Sequence, residues 1–76
     1  MSKLTIIPSK DMVMILNSLG FEEIRQKGSH KSFRHQDGRS TLVLFHGEDL
    51  GRGLIRKILR DIEITVEEYE NIRKTI

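Results

Sequence analysis

The chain has 76 residues, a net charge of +2 and no cysteine, so we expect one domain over residues 1–76 with neither disulfide bonds nor a thiolate metal site. No apolar run approaches the roughly 20 residues of a membrane span, and the first residues lack the apolar stretch of a signal peptide, so the expected location is the cytoplasm, away from membranes. Residues 25–60 carry nine lysines and arginines against three acids, together with all three histidines, which predicts a negatively charged partner such as nucleic acid.

The first predicted element is a helix over Lys10–Leu19. Met12 and Leu16 lie at helical spacing within it, and Gly20 follows where the end of a helix favours a left-handed residue.

Turn dipeptides divide the next part of the chain into three strands. Gly28-Ser29 and Asp37-Gly38 are both typical of turns between antiparallel strands. The predicted meander comprises Phe21–Lys27, Lys31–His35 and Ser40–Phe45.

Two more helices complete the predicted fold. Leu50–Arg60 has an apolar stripe and a basic outer face, although Gly51 and Gly53 leave its start open. A capping box that begins at Thr65 predicts a last helix from about Val66. The fold class is therefore α+β, with the order α-β-β-β-α and a C-terminal helical extension. The predicted core includes Phe21, Ile24, Phe33, Leu50, Leu54, Ile58 and Leu59.

A two-residue turn at Gly28-Ser29 would fix the pairing of the first two strands. Lys27 then faces His30, and Ile24 faces Phe33 on the side that packs against the helices. The opposite side would carry Arg25, Lys27, His30, Ser32 and Arg34. For the third strand two choices remain open: either Leu42 and Leu44, or Val43 and Phe45, join the core.

His30 projects from a basic surface, where a neutral imidazole could accept a proton, so it is either a candidate catalytic residue or simply an exposed surface histidine. A zinc site formed by three histidines is disfavoured, since His35 should point to the other face of the strand and His46 lies beyond the next one. We expect no metal and no cofactor. The loop with Gly47 and Arg52 could bind phosphate at a helix N-terminus, or could simply be a flexible connector.

The segment from Phe21 to Lys31, with its Lys27-Gly28-Ser29-His30 hairpin, resembles the HicA toxin family. The resemblance continues through Arg34-His35, Asp37-Gly38-Arg39, Phe45-His46-Gly47 and Leu50 to Leu59, and covers roughly Ser9 to Tyr69. It implies a fold like the double-stranded RNA-binding domain, cleavage of mRNA, and neutralisation by a HicB-type antitoxin that covers the active surface. The family's catalytic histidine corresponds to His30, and Gly28 and Ser29 correspond to the turn that presents it. The charged C-terminal segment Glu70–Ile76 departs from the family pattern and puts the antitoxin contacts in doubt.

RNA supplies its own nucleophile, the 2′-hydroxyl, so a minimal nuclease needs a base and cations that hold the phosphate. The hypothesis assigns the base to His30 and stabilisation of phosphate charge to Lys27 or Arg34. Attraction of the RNA phosphate backbone is assigned to Arg25, Lys31, Arg52, Arg56 and Lys57. The donor of a proton to the leaving oxygen stays open among His46, Lys31, Ser32 and water. Two rivals remain: a non-catalytic RNA-binding module and a protein-interaction module with an acidic partner.

Overall fold

The computed structural model describes residues 4–76 and has an α+β architecture, as the sequence predicts. Its three strands form one antiparallel sheet in the order β1-β2-β3. The elements are α1 (Ser9–Ser18), β1 (Glu22–Lys27), β2 (His30–Arg34), β3 (Ser40–Leu44), α2 (Arg52–Ile62) and α3 (Val66–Arg73).

Helix α1 begins one residue earlier than predicted because Pro8 is its N-cap. The Ser9 hydroxyl does not cap the helix; it is buried and donates a hydrogen bond of 2.6 Å to the carbonyl oxygen of His46. This bond ties the start of α1 to the loop after β3. At the other end, Gly20 has φ +91°, which confirms the predicted left-handed residue.

The pairing of β1 with β2 corrects the predicted core position of Ile24. Lys27 pairs with His30 as predicted, but the register shifts between Glu23 and Arg25, and it is Glu23 that faces Phe33. Ile24 is therefore the extra residue of a β-bulge, which turns its side chain away from the helices. Ile24 is 53% exposed, whereas Phe33 is fully buried.

The structure settles the open choice in β3. Val43 is fully buried and Thr41 is 6% exposed, so these two residues face the helices. Leu42 and Leu44 point to the other side of the sheet, where Leu44 pairs with His30 and Leu42 is 39% exposed.

Helix α2 starts at Arg52 with Gly51 as its N-cap, so Leu50 lies before the helix, although it is buried as predicted. The helix ends at Ile62, and its C-cap Glu63 has φ 60° and ψ 45°, which place it in the left-handed region. The capping box predicted for α3 is present, with the Thr65 side chain accepting a hydrogen bond from the Glu68 amide.

Helix α3 and the N-terminal segment hold each other in place. The buried Tyr69 hydroxyl donates to the carbonyl oxygen of Thr5, and the Thr5 amide donates to the Glu70 carboxylate at 2.7 Å. Glu70, the first residue of the C-terminal departure from the family pattern, thus holds the N-terminal segment beside the buried Tyr69. The other buried core residues include Leu4, Ile7, Met12, Ile15, Leu16, Phe21, Ile55, Ile58, Leu59 and Ile62.

None of the helices in residues 4–76 has the length and apolar character needed to cross a membrane.

Candidate active site on the open face of the sheet

The two faces of the sheet differ in chemistry. One face packs on the helices through Phe33 and Val43. The other, which we call the open face, carries cations together with serine and aliphatic side chains. It includes Ile24, Arg25, Lys27, His30, Ser32, Arg34, Leu42 and Leu44.

A tight hairpin turn presents His30. Gly28 has φ +58°, which a glycine adopts without the steric cost that a side chain would bring, and the chain reverses within two residues. The Ser29 carbonyl oxygen accepts a hydrogen bond of 2.6 Å from the Phe45 amide, which fixes the turn against the end of β3. His30 is consequently the first residue of β2, with Lys27 as its partner on one side and Leu44 on the other.

The exposed His30 lines a cleft of about 280 Å³. Arg25 and Lys27 line the same cleft from β1, and Ser32 and Leu42 line it from β2 and β3. Within residues 4–76, neither Arg25 nor Lys27 forms an ion pair with a carboxylate. Both cations are therefore available to an anionic group that enters beside His30.

A second groove of about 450 Å³ adjoins this cleft and shares Ser32 and Leu42 with it. Arg34 lines the groove from β2, and Lys57 reaches it from α2. The Lys57 ammonium lies 2.9 Å from a carboxylate oxygen of Asp61. Asp61 lines the groove as well, so the cationic surface extends from the hairpin to Arg34 and meets an ion pair at α2.

The structure does not bring Lys31 to the open face. As the neighbour of His30 in β2, it projects to the opposite face, where its ammonium is 3.3 Å from a Glu23 oxygen. The same ammonium lies 4.1 Å from the centre of the Phe45 ring. Arg52 and Arg56 are exposed on α2 but line neither the cleft nor the groove.

The other two histidines have local structural contacts. His35 packs edge-on against the ring of Phe21, with 5.1 Å between ring centres. The Nδ1 atom of His46 accepts a hydrogen bond from the Glu48 amide. In the part of the chain that the structure describes, no three histidine or acidic side chains are grouped so that they could hold a metal ion.

The sequence predicted the polar residues of the cleft on one face but not the apolar side chains beside them, which are Leu42 in the cleft and Ile24 in the adjoining groove. Leu42 was one of two open choices, and Ile24 was assigned to the core. The spacing of Phe21 and Ile24 held the missing signal, because residues three apart in a regular strand point to opposite faces and cannot both be buried.

The fold and the open face together define a small α+β protein with a basic sheet surface. A family model described as HicA toxin of bacterial toxin–antitoxin matches residues 9–64. The chain belongs to this HicA toxin family, whose members are the toxins of toxin–antitoxin systems and are paired with an antitoxin. The matched region ends before α3, short of the Tyr69 limit expected from the sequence. A search of curated proteins finds no match to the chain.

Proposed function

We propose that this toxin is a metal-independent endoribonuclease that cleaves mRNA in the cytoplasm and so stops translation. The observation that carries the proposal is the position of His30, an exposed imidazole in a cleft whose β1 wall is formed by Arg25 and Lys27. Family membership supports a toxin, and the cleft supplies what RNA cleavage by an internal nucleophile requires: a base beside cations.

In the proposed reaction, the neutral imidazole of His30 removes the proton from a ribose 2′-hydroxyl. The 2′-oxygen then attacks the adjacent phosphorus, and the bond from phosphorus to the 5′-oxygen of the next nucleotide breaks. The leaving oxygen takes up a proton, so the products are a 2′,3′-cyclic phosphate and a 5′-hydroxyl. Lys27 and Arg25 offset the charge that grows on the phosphate oxygens.

Our proposal for the donor of the second proton is guided by which candidate side chains line the cleft. Ser32 lines the cleft, whereas Lys31 lies on the opposite face and His46 lines a separate depression beside Ser9. We assign the final proton to water or to the Ser32 hydroxyl acting with water. In the same proposal, Arg34 and Lys57 attract the RNA backbone next to the cleft, and Arg52 and Arg56 do so at longer range.

The test compares the wild-type protein with His30→Ala on single-stranded RNA in the presence of a chelator. Gln36→Ala, an exposed change in the loop after β2, serves as the matched control. We expect His30→Ala to lower kcat by about 10²- to 10⁴-fold, the contribution typical of a general base, and the control to cleave like the wild type. Lys27→Ala should weaken cleavage, while Lys10→Ala on α1 should not.

The principal alternative, a non-catalytic RNA-binding module, predicts a different result in the same experiment. The wild-type protein and His30→Ala would then bind RNA equally well, and the RNA would remain intact. Cleavage that depends on an added metal ion, or that persists in His30→Ala, would also contradict the proposal.

We further propose that a HicB-type antitoxin inhibits cleavage by covering the open face. This face combines free cations with exposed aliphatic side chains, a composition suited to an acidic protein partner as well as to RNA. An antitoxin added at equal concentration should abolish cleavage and protect the amide of Ser32 from hydrogen exchange. If the antitoxin inhibited cleavage without slowing hydrogen exchange in β2, the proposal that it binds the open face would be contradicted.

A further inference from the structure

We propose that Ile24 and Leu42 form a platform on which the base of a nucleotide next to the scissile phosphate packs. This inference rests on the proposed ribonuclease function and extends it from the reacting phosphate to the recognition of a base. The two side chains line one groove and are 53% and 39% exposed, respectively. They are the large aliphatic residues that the open face leaves most accessible.

The β-bulge in β1 is what creates the platform. In a regular strand without the bulge, Ile24 would pair with Phe33 and point into the core together with it. The bulge instead keeps Glu23 opposite Phe33 and turns Ile24 outward. An exposed isoleucine costs solvation free energy, because its apolar surface stays in contact with water. The fold thus forgoes an available core contact at this position.

The charges around the platform favour a nucleotide as its occupant. Arg34 lines the same groove, where Lys57 is paired with the carboxylate of Asp61, and the cleft that shares Leu42 with it contains Arg25 and Lys27. An apolar surface bordered by cations matches the two parts of a nucleotide, a flat base and an anionic phosphate. Bases are held against apolar as well as aromatic side chains in nucleic-acid enzymes.

The aromatic residues of the described chain cannot take this role. Phe21, Phe33 and Tyr69 are buried, and Phe45 lies on the opposite face beneath the ammonium of Lys31. Ile24 on β1 and Leu42 on β3, which flank Ser32 of β2, are therefore the apolar side chains that remain for a base on the open face.

The position of the groove determines which nucleotide along the RNA strand can contact the platform. Ser32 and Leu42 belong to both the groove and the His30 cleft, so a phosphate in the cleft brings the neighbouring nucleotide over the platform. Contact between an apolar surface and a base needs no hydrogen bond to that base. It therefore adds affinity for any base and discriminates mainly between a base and none.

A double-mutant cycle between the platform and the RNA tests the proposal. The protein arms are wild type, Ile24→Thr and Leu42→Thr, with Met14→Thr on α1 as a matched exposed control. The RNA arms are a short strand with one mapped cleavage site and the same strand with an abasic nucleotide on the 5′ or the 3′ side of that site. Thermal unfolding of each variant establishes that it is folded.

On intact RNA, we expect each platform substitution to lower kcat/KM by about tenfold, mainly through a higher KM, which is the effect of losing one or two buried methylene groups. On the abasic strand that lacks the contacted base, wild type and Ile24→Thr should be cleaved at similar rates, because the interaction is already lost. Met14→Thr should match the wild type on every strand.

The proposal would be overturned if the loss of kcat/KM from a platform substitution simply added to the loss from the abasic nucleotide. An unchanged KM for both platform variants would overturn it as well. An unchanged KM combined with weaker binding of the antitoxin would identify the platform as a protein contact instead. If the protein binds RNA without cleaving it, the same cycle measured as Kd still tests the platform. Failure of the ribonuclease function is therefore distinguishable from failure of the platform.

Discussion

Replacing Phe33 and Ile24 in turn tests the register of the sheet, because the sequence pattern assigns both residues to the core and the structure buries only Phe33. Phe33 is fully buried, and truncating a buried phenylalanine to alanine costs about 3–5 kcal/mol. A domain of 76 residues has a free energy of unfolding of about 4–11 kcal/mol. Phe33→Ala should therefore remove a large share of the free energy of unfolding, and Phe33→Leu should cost about 1–2 kcal/mol.

Ile24→Thr keeps a β-branched side chain at the bulge and loses only partly buried apolar area, since Ile24 is 53% exposed. We expect a loss below about 1 kcal/mol. The assay is urea denaturation followed by circular dichroism, with the slope m required to stay constant across the variants. A loss of about 2 kcal/mol or more for Ile24→Thr would refute the bulge and restore the regular pairing of Ile24 with Phe33.

Three further substitutions probe the frame around the site. Glu63→Gly should raise the melting temperature by about 4 °C, since glycine relieves roughly 1 kcal/mol of left-handed strain at φ 60°; an unchanged or lower value in calorimetry would contradict this. Gly20→Ala should destabilise by more than about 1 kcal/mol in urea, because its Cβ would lie 3.1 Å from Nε2 of His35 at φ +91°; a neutral result would contradict the turn. Burial raises the pKa of Glu70, but hydrogen bonds, notably from Thr5, outweigh it and leave the pKa below its ordinary value of 4.5. The ionised Glu70 carboxylate thus stabilises the fold above about pH 4.5, and this stabilisation is lost as the pH falls through the lowered pKa. The difference in free energy of unfolding between the wild type and Glu70→Gln should therefore shrink from about pH 6 to about pH 3. A difference that stays constant over this range would contradict the lowered pKa.

The sequence predicts the order and type of every element because local signals agree with the tertiary contacts. The capping box at Thr65 and the positive φ at Gly20 are set by neighbouring residues, and both occur where the pattern indicates. The hairpin pairing of Lys27 with His30 follows from the short turn alone. These features need no knowledge of distant parts of the chain.

What the sequence does not predict depends on long-range packing. The outward position of Ile24 follows from a bulge that accommodates the burial of Phe21. The three-residue spacing of Phe21 and Ile24 excludes the burial of both in a regular strand, but only the packed fold shows which of the two is turned outward. The choice of Val43 over Leu42 for the core depends on how the loop after β2 sets the register of β3. The basic side of the cleft was predictable, whereas the apolar side chains beside it required the fold.

The central claim is that His30 acts as the base for an internal 2′-hydroxyl nucleophile. Its most direct test is a short RNA with one mapped cleavage site in which the single ribose on the 5′ side of the scissile phosphate is replaced by deoxyribose. With chelator present, the proposed mechanism predicts that the wild-type protein binds this strand but leaves it uncut, and cuts the all-ribose strand to a 2′,3′-cyclic phosphate. Cleavage of the substituted strand at the same phosphate would contradict the mechanism, because the nucleophile would then have to be water.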